Sequence, residues 1–410
     1  MAEVKTTSDL RSYLDRTFPR ASERLPDAVV TPLNYVYVGW QRIGYARYLV
    51  AAAFMALIPV VMNSDVLPVL SGGFGVNVLF DTGILILLAL GLGVVVGMAG
   101  LLDLGYVAFF MLGAYTTALM TDSGSPEQFH FVVWPTWAAL PFALLVAMCA
   151  GVILGVPTLR LRGDYLAIVT LGFHEIVRQT ANNLAITNAS RGIPSIPHPE
   201  FNLFGTNFDF GLDAEYYWWF LLIPAILLAV IMIRHLDHSR VGRYWTAIRE
   251  DEVAAAAMGV PVTRFKVYAF VIGASTSGVA GWIYAVKNNF ISPNNFPLLD
   301  SILVLCAVVI GGLGSIGGAV LGAILIEALP QVVRELSGGQ TLFGLDFETG
   351  RIAIFGVLLI LVMIYRPGGL LAARRRRVEL THAGAADEVI SEDVAVEAED
   401  ELSPATKEGR

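Results

Sequence analysis

The sequence has few charged residues and almost no cysteine. Only 15% of its 410 residues are charged, and its two cysteines are Cys149 and Cys306. So low a charge content excludes an ordinary soluble enzyme and a nucleic-acid binder with a basic face, and two cysteines exclude a secreted scaffold built on disulfides. Both cysteines lie in apolar runs, where a free thiol behaves as a small hydrophobic residue. We therefore expect two free thiols.

The sequence also lacks the motifs of nucleotide binding and zinc catalysis. It contains no G-x-x-x-x-G-K-[ST] string, so any use of ATP must come from a partner. His174 and Glu175 begin an H-E-x-x-H pattern, but Arg178 stands in place of the second histidine. The string GLGSIG (312–317) has the spacing of a nucleotide-binding glycine loop, yet its position between apolar stretches predicts a helix break or close helix packing. We predict no metal site, no cofactor and no enzyme activity in this chain.

Apolar sequence is abundant. Apolar residues make up 55% of the chain and the mean hydropathy is +0.64, and a run of about 20 apolar residues crosses a membrane as a helix. We predict an all-α integral membrane protein, a polytopic helical bundle of about ten transmembrane segments. The candidate runs are 46–67, 78–98, 104–121, 133–156, 165–184, 216–234, 265–286, 299–313, 316–331 and 351–366. The short runs 299–313 and 316–331 are either spans or half-helices, because the glycine cluster 311–318 separates them.

The charges are unevenly distributed along the chain. Residues 378–410 account for the whole net charge of −8, so the rest is neutral. Basic residues precede the first run and return at 160–162, in 235–264 and at 374–377. Because Lys and Arg accumulate in cytoplasmic loops, we expect both termini to be cytoplasmic, with the chain multi-pass in the bacterial inner membrane. The expected parts are a cytoplasmic arm (1–45), a membrane domain (46–371), and a basic anchor with a disordered acidic tail (372–410).

Two segments of this plan have alternative readings. In the arm, apolar residues follow one helical face, so it is either an interfacial helix on the inner leaflet or a partly disordered segment. In the cytoplasmic loop 235–264, a helix is expected to begin near Gly242 and to end at Gly259, before Pro261. The acids 250–252 would then lie in its second half, which is unfavourable for the helix dipole. That placement predicts an exposed acidic docking patch; the alternative is a solubilising helix.

Five charged residues interrupt the apolar runs. Each costs free energy in hydrocarbon unless it faces a partner or water. Glu175 and Arg178 are three residues apart on one predicted helix and can pair, and Asp103 lies in a glycine-rich break, where it can cap a helix or form a turn. A structural role is favoured for all five, which are Asp81, Asp103, Glu175, Arg178 and Glu327.

Several stretches resemble a known family, in the same order along the chain. They are 91–120 (GLGVVVGMAGLLDLGYVAFFMLGAYTTALM), 161–183 (LRGDYLAIVTLGFHEIVRQTANN), 242–285 (GRYWTAIREDEVAAAAMGVPVTRFKVYAFVIGASTSGVAGWIYA), 302–324 (ILVLCAVVIGGLGSIGGAVLGAI) and 364–371 (IYRPGGLL). The sequence thus resembles the permease subunits of branched-chain amino-acid ABC importers, of the LivM type, over about residues 80–371. The arm and the acidic tail have no counterpart in that pattern.

The resemblance implies a permease that imports leucine, isoleucine and valine. Its implied partners are a second, similar permease, two cytosolic ATPase subunits that hold ATP and magnesium, and an extracytoplasmic substrate-binding protein. The loop 235–264 would be the coupling element to the ATPases, which favours the docking reading of its helix. Its E-x-A-A-x-x-x-G spacing is matched by Glu252, Ala254, Ala255 and Gly259. Some relatives of this pattern are associated with urea, amides or aromatic acids.

The path of the substrate is assigned on resemblance together with polarity. The candidate lining residues are Tyr106, Tyr115, Tyr165, Thr170 and Glu175. A competing hypothesis is an ion-coupled secondary carrier, in which Asp103, Glu175 or Glu327 binds the driving cation near a broken helix. A membrane enzyme is a third hypothesis, for which the sequence offers no metal cluster and no nucleophile beside a base.

Overall fold

The computed structural model describes a mostly helical chain. The described residues are 73–121, 134–158, 163–199, 201–203, 206–208, 215–336, 360, 364 and 369–371. The predicted arm, the first predicted span (46–67), nearly all of the last (351–366) and the acidic tail lie outside them.

Ten α-helices account for most of the described residues. They are α1 (Gly73–Leu92), α2 (Val107–Met120), α3 (Thr136–Thr158), α4 (Asp164–Asn183), α5 (Glu215–His238), α6 (Arg240–Glu250), α7 (Glu252–Ala257), α8 (Val262–Asn288), α9 (Leu298–Gly311) and α10 (Ile316–Leu336). A π-helical segment, Gly93–Met98, continues α1. Short 3₁₀ turns occur at Ala185–Thr187, Ala189–Arg191 and Pro293–Asn295.

Four short strands form two antiparallel pairs. β1 (Ile193–Pro194) pairs with β4 (Phe290–Ile291), which ties the segment after α4 to the end of α8. β2 (Phe201–Leu203) pairs with β3 (Thr206–Phe208) as a local hairpin. Both pairs lie in connections between helices, so the membrane architecture itself is helical.

Five described helical segments are long and apolar enough to cross a membrane. They are Val78–Met98, Thr136–Pro157, Trp218–His238, Val262–Asn288 and Pro293–Gly311, and the shorter apolar helices are Val107–Met120 and Ile316–Glu327. The prediction of a helical multi-pass membrane protein is confirmed, and each of these segments coincides with a predicted run. The break predicted at the glycine cluster is also confirmed, because α9 ends at Gly311 and α10 begins at Ile316.

Helix α4 differs from the predicted span at 165–184. It is a helix of 20 residues, but it is not among the described helices that are apolar enough to span, because its second half is rich in charged and amide side chains. One stripe at helical spacing is buried, comprising Leu166, Ala167, Thr170, His174 and Ala181. The opposite face exposes large apolar side chains, including Tyr165, Ile168 and Ile176. This helix therefore packs on the bundle through a single face.

Glycines bring α2 and α8 into direct backbone contact. A Cβ atom on Gly281 would clash with the carbonyl oxygen of Phe110 and would lie 2.7 Å from the backbone nitrogen of Ala114. Gly113 meets Gly278 in the same way, with a Cβ at Gly113 only 2.8 Å from the Cα of Gly278. Small residues allow membrane helices to approach closely and to gain van der Waals contact. The α2–α8 crossing is thus specified by glycine.

Residues 369–371 contact the C-terminal end of α9. The N–H groups of Leu370 and Leu371 donate to the carbonyls of Ile310 and Gly311, both at 2.8 Å. These carbonyls belong to the last turn of α9, which has no intrahelical donors for them. Residues 369–371 therefore cap α9 at the glycine cluster.

Candidate coupling and translocation sites

The single helix predicted in the loop 235–264 is divided in two. α6 ends at Glu250, Asp251 is extended, and α7 begins at Glu252. The Asp251 carboxylate accepts hydrogen bonds from the N–H groups of Val253 (2.8 Å) and Ala254 (3.0 Å). The prediction that Asp251 and Glu252 lie in the second half of one helix was therefore wrong. Asp251 caps α7, and both acids stand at its N-terminus, where the dipole favours negative charge.

Glu252 is turned inward instead of contributing to an exposed acidic patch, which corrects that part of the docking prediction. Its carboxylate lies 2.7 Å from the Nζ of Lys266 on α8. The side chains are 26% and 6% exposed, respectively. Because Lys266 is nearly out of solvent, its ammonium depends on this partner. The pair holds α7 against the first turns of α8.

The helix α7 ends just before the glycine and proline that the sequence indicated. Gly259 has a φ of +83°, its N–H donates to the carbonyl of Ala256, and the N–H of Val260 donates to the carbonyl of Ala255. This left-handed turn is a common way of ending a helix and favours glycine. Pro261 then precedes the first residue of α8. The predicted helix end at Gly259 is confirmed.

The outer face of α7 is apolar and small. Val253 is 61% exposed and Met258 is 85% exposed, with exposed alanines between them, whereas Ala255 is buried. Of the predicted coupling residues, Ala254 and Gly259 are thus accessible, while Glu252 and Ala255 face the permease. Val253 and Met258 were not predicted from the sequence, although a large apolar side chain in a charged loop was an available signal.

The predicted break around Asp103 is present, and it contacts α4. Asp103 is fully buried, and one of its carboxylate oxygens accepts the N–H of Gly105 at 2.9 Å. The N–H of Leu104, which lies between Asp103 and Gly105, donates to the hydroxyl of Thr170 at 3.0 Å. The turn-forming role predicted for Asp103 is confirmed, and Thr170 joins α4 to the irregular chain between the π-helical segment and α2.

The five predicted path residues have different surroundings. Tyr106 is buried and donates to the carbonyl of Gly273 at 2.7 Å, close to the break that Thr170 supports. Tyr115 is buried, and its hydroxyl has no hydrogen-bond partner among the described residues. Tyr165 is exposed on α4. Glu175 forms the predicted ion pair with Arg178, at 2.9 Å. The structure brings Tyr106 and Thr170 to one break but does not gather all five.

A cavity of about 180 Å³ lies between the helices α1, α2, α8, α9 and α10. Its wall combines aliphatic side chains with oxygen and amide groups, among them Asp81, Tyr284, Asn295, Asp300 and Glu327. Apolar cavities of about 150 Å³ hold benzene, so there is room for a small organic solute. Among the described residues, the cavity wall includes none of the five predicted path residues. A structural role was favoured for Asp81 and Glu327 from the sequence. The sequence does not show that these distant residues line the same cavity.

Comparison with known proteins decides the family. A family described as "Branched-chain amino acid transport system / permease component" matches residues 74–365. The chain belongs to this family. The resemblance found in the sequence is thereby confirmed, and the family is one of transporter membrane components.

Individual relatives within this family agree. The chain is 39% identical over 327 residues to the high-affinity branched-chain amino acid transport system permease protein LivM of Escherichia coli, covering 75% of this chain and 72% of the relative. The LivM protein of Salmonella typhimurium is also 39% identical, over 324 residues, with 74% and 72% covered. The permease LivH of Escherichia coli is 26% identical over 298 residues, with 70% and 90% covered. No solved structure matched this chain.

Proposed function

We propose that this chain is the membrane-spanning permease subunit of an ATP-driven importer of the branched-chain amino acids leucine, isoleucine and valine. The observation that carries the proposal is the 39% identity to LivM over three-quarters of the chain. The proposed partners are a second permease of the same family, two cytosolic ATPases that hold ATP and magnesium, and an extracytoplasmic binding protein. The similarity of this chain to LivH as well as LivM supports a second permease built on the same plan.

The proposed location is the bacterial inner membrane, with both termini in the cytoplasm. The basic loop 235–264 and the arginines 374–377 support this orientation. The contacts of residues 369–371 with the end of α9 support a glycine cluster on the same side of the membrane as the basic anchor that follows in the sequence. In this orientation α7 faces the cytosolic ATPases.

The proposed coupling element is α7 with its two flanking turns. Its outer face presents Val253, Ala254 and Met258, which are accessible to an ATPase groove. Glu252 and Ala255 fix the helix on α8 from the inner side, so a force applied to α7 is carried into the membrane domain. Gly259 turns the chain back toward that domain.

A charge on the outer face of α7 should release the ATPases. We expect the double variant Val253→Asp/Met258→Asp to reduce ATPase co-purification with the permease at least tenfold, because a desolvated carboxylate without a partner costs more than about 1.4 kcal/mol. The thermal stability of the full chain should stay unchanged, since both side chains are solvent-exposed. The control is Leu184→Asp, at the other end of the bundle in the proposed orientation. Undiminished ATPase association of the double variant would contradict the coupling assignment.

The proposed translocation path runs near the break that Thr170 supports. Tyr106 and Thr170 would position the break, Tyr165 and Glu175 would line accessible surfaces of α4, and the buried hydroxyl of Tyr115 would face the path from within the bundle. The cavity between α1, α8 and α10 suits a solute with an aliphatic side chain and an ammonium group, because its wall offers both aliphatic carbon and carboxylate oxygens.

A further inference from the structure

Arg249 links the coupling loop to the broken membrane helices. It lies in the last turn of α6, and its Nη1 donates to the carbonyl of Gly97 at 2.7 Å. Gly97 belongs to the last turn of the π-helical segment, where carbonyls lack intrahelical donors. A guanidinium that donates to such a carbonyl makes a charge-assisted bond, stronger than one between neutral groups. Arg249 therefore caps a membrane helix from outside it.

The stem of the same side chain fills the space above a second glycine. A Cβ atom on Gly100 would lie 2.5 Å from the Cγ of Arg249 and 3.1 Å from its Cβ. Any larger residue at position 100 would push Arg249 away. The aliphatic part of Arg249 thus packs on the chain that leaves the π-helical segment, while its head group holds the carbonyl at position 97.

The two breaks in the membrane helices meet at this point. A Cβ on Gly97 would lie 2.9 Å from the Cα of Gly314, in the break between α9 and α10. Gly314 has a φ of +78°, and a Cβ there would lie 3.5 Å from the Nη1 of Arg249. We call Gly97, Gly100 and Gly314 the glycine junction. Arg249 donates to Gly97, packs over Gly100 and places its Nη1 beside Gly314.

The helix that carries Arg249 is fixed to the coupling element. The indole N–H of Trp245 on α6 donates to the carbonyl of Phe265 on α8, at 2.7 Å, and Glu252 holds α7 to Lys266 on the same helix. The segment from α6 to the start of α8 is therefore joined at two points. A movement of this segment would carry Arg249 with it and would pull on the carbonyl of Gly97 through their hydrogen bond.

We propose that Arg249 is a positioning residue that transmits the movement of the coupling loop to the glycine junction. The inference rests on the proposed function, because the movement originates in ATPases docked on α7. Since α1 with its π-helical segment and α9 end at the junction and α10 begins just after it, one displacement there alters the alignment of several membrane helices at once. Such breaks are places where helices bend at low cost.

The test uses the complete complex of both permeases and both ATPases, reconstituted in proteoliposomes with the binding protein. Arg249→Gln should leave ATPase association and ATP hydrolysis near wild-type values and lower leucine uptake at least tenfold. Arg249→Lys should give intermediate uptake, because lysine keeps the charge but not the planar donor geometry. The matched control is Arg243→Gln, an exposed arginine on the same helix, which should not change uptake. If Arg249→Gln lowers the yield of folded complex, Arg249→Lys supplies the same comparison.

The outcomes separate the two proposals. Wild-type uptake by Arg249→Gln, in a complex whose wild type is ATP-driven, overturns the role of Arg249 alone. Loss of ATPase association in Arg249→Gln also overturns it, because Arg249 would then act in docking and not in transmission. A wild-type complex without ATP-driven uptake overturns the proposed function, and the role of Arg249 with it.

Discussion

Replacing Gly281 by alanine will leave little folded protein. The added Cβ would meet the backbone of α2 at Phe110 and Ala114, and backbone atoms cannot rotate away as a side-chain end can. Overpacking in a core typically costs about 1–3 kcal/mol, and we expect the upper end or more here because both contacts are with main chain. The measurement is the yield and aggregation temperature of the full chain in mild detergent.

Gly172→Ala is the matched control for this variant. Gly172 also lies inside a helix, but a Cβ there has nothing within 4 Å. Alanine is a better helix former than glycine by about 1 kcal/mol, so this variant should be at least as stable as the wild type. If Gly281→Ala proves as stable as Gly172→Ala, the close α2–α8 crossing is wrong.

Replacing Glu252 by glutamine will detach α7 from α8 and reduce uptake. The change removes the charge that faces the nearly buried Lys266, and a hydrogen bond between charged groups contributes about 1.5–3 kcal/mol. We expect leucine uptake to fall more than tenfold and the 240–264 loop to become more sensitive to proteolysis. The membrane helices should remain folded, because this ion pair lies at the cytoplasmic end of α8 in the proposed orientation.

The double variant Glu252→Gln/Lys266→Met tests whether the loss in Glu252→Gln comes from the unpaired ammonium of Lys266. It removes the unpaired ammonium that Glu252→Gln creates, so it should recover a large part of both uptake and protease resistance. An isolated Lys266→Met variant leaves Glu252 partly solvated and should be milder than Glu252→Gln. Equal losses in Glu252→Gln and the double variant would show that Glu252 acts on a partner and not through Lys266.

The sequence was most informative where structure depends on neighbouring residues. The helix end at Gly259 and the Glu175–Arg178 pair both follow from local spacing. The break at the glycine cluster was predictable for the same reason, since glycine interrupts an apolar run. Family membership was predictable from residues 91–120 and the later matching stretches, because long motifs in a fixed order are specific.

Contacts between distant segments were beyond the sequence. The bond from Arg249 to Gly97 joins residues 152 positions apart, and nothing in either stretch indicates the other. The pair of Glu252 and Lys266 spans 14 positions and a turn, so Glu252 was expected in an exposed acidic patch. The division of the loop helix at Asp251 was missed because a capping side chain was read as part of a charge run.

Helix α4 has the length of the predicted span at 165–184 but is less apolar than the other candidate spans. Its first half is apolar, and the sequence therefore predicted a complete span. The second half carries Glu175 and Arg178 among amide side chains, and only one stripe is buried on the bundle. The exposed apolar face of such a helix must be covered by lipid or by another protein, and a single sequence does not specify which.

ATP-driven import of branched-chain amino acids through this permease is best tested by transport itself. The measurement is uptake of labelled leucine into proteoliposomes that contain this chain, its second permease and the ATPases. The binding protein is added on the side of the membrane opposite the ATPases. We expect uptake that requires ATP, survives collapse of ion gradients, and is competed by valine and isoleucine but not by urea or benzoate. Leucine uptake that persists without ATP and stops when an ion gradient is collapsed would contradict it.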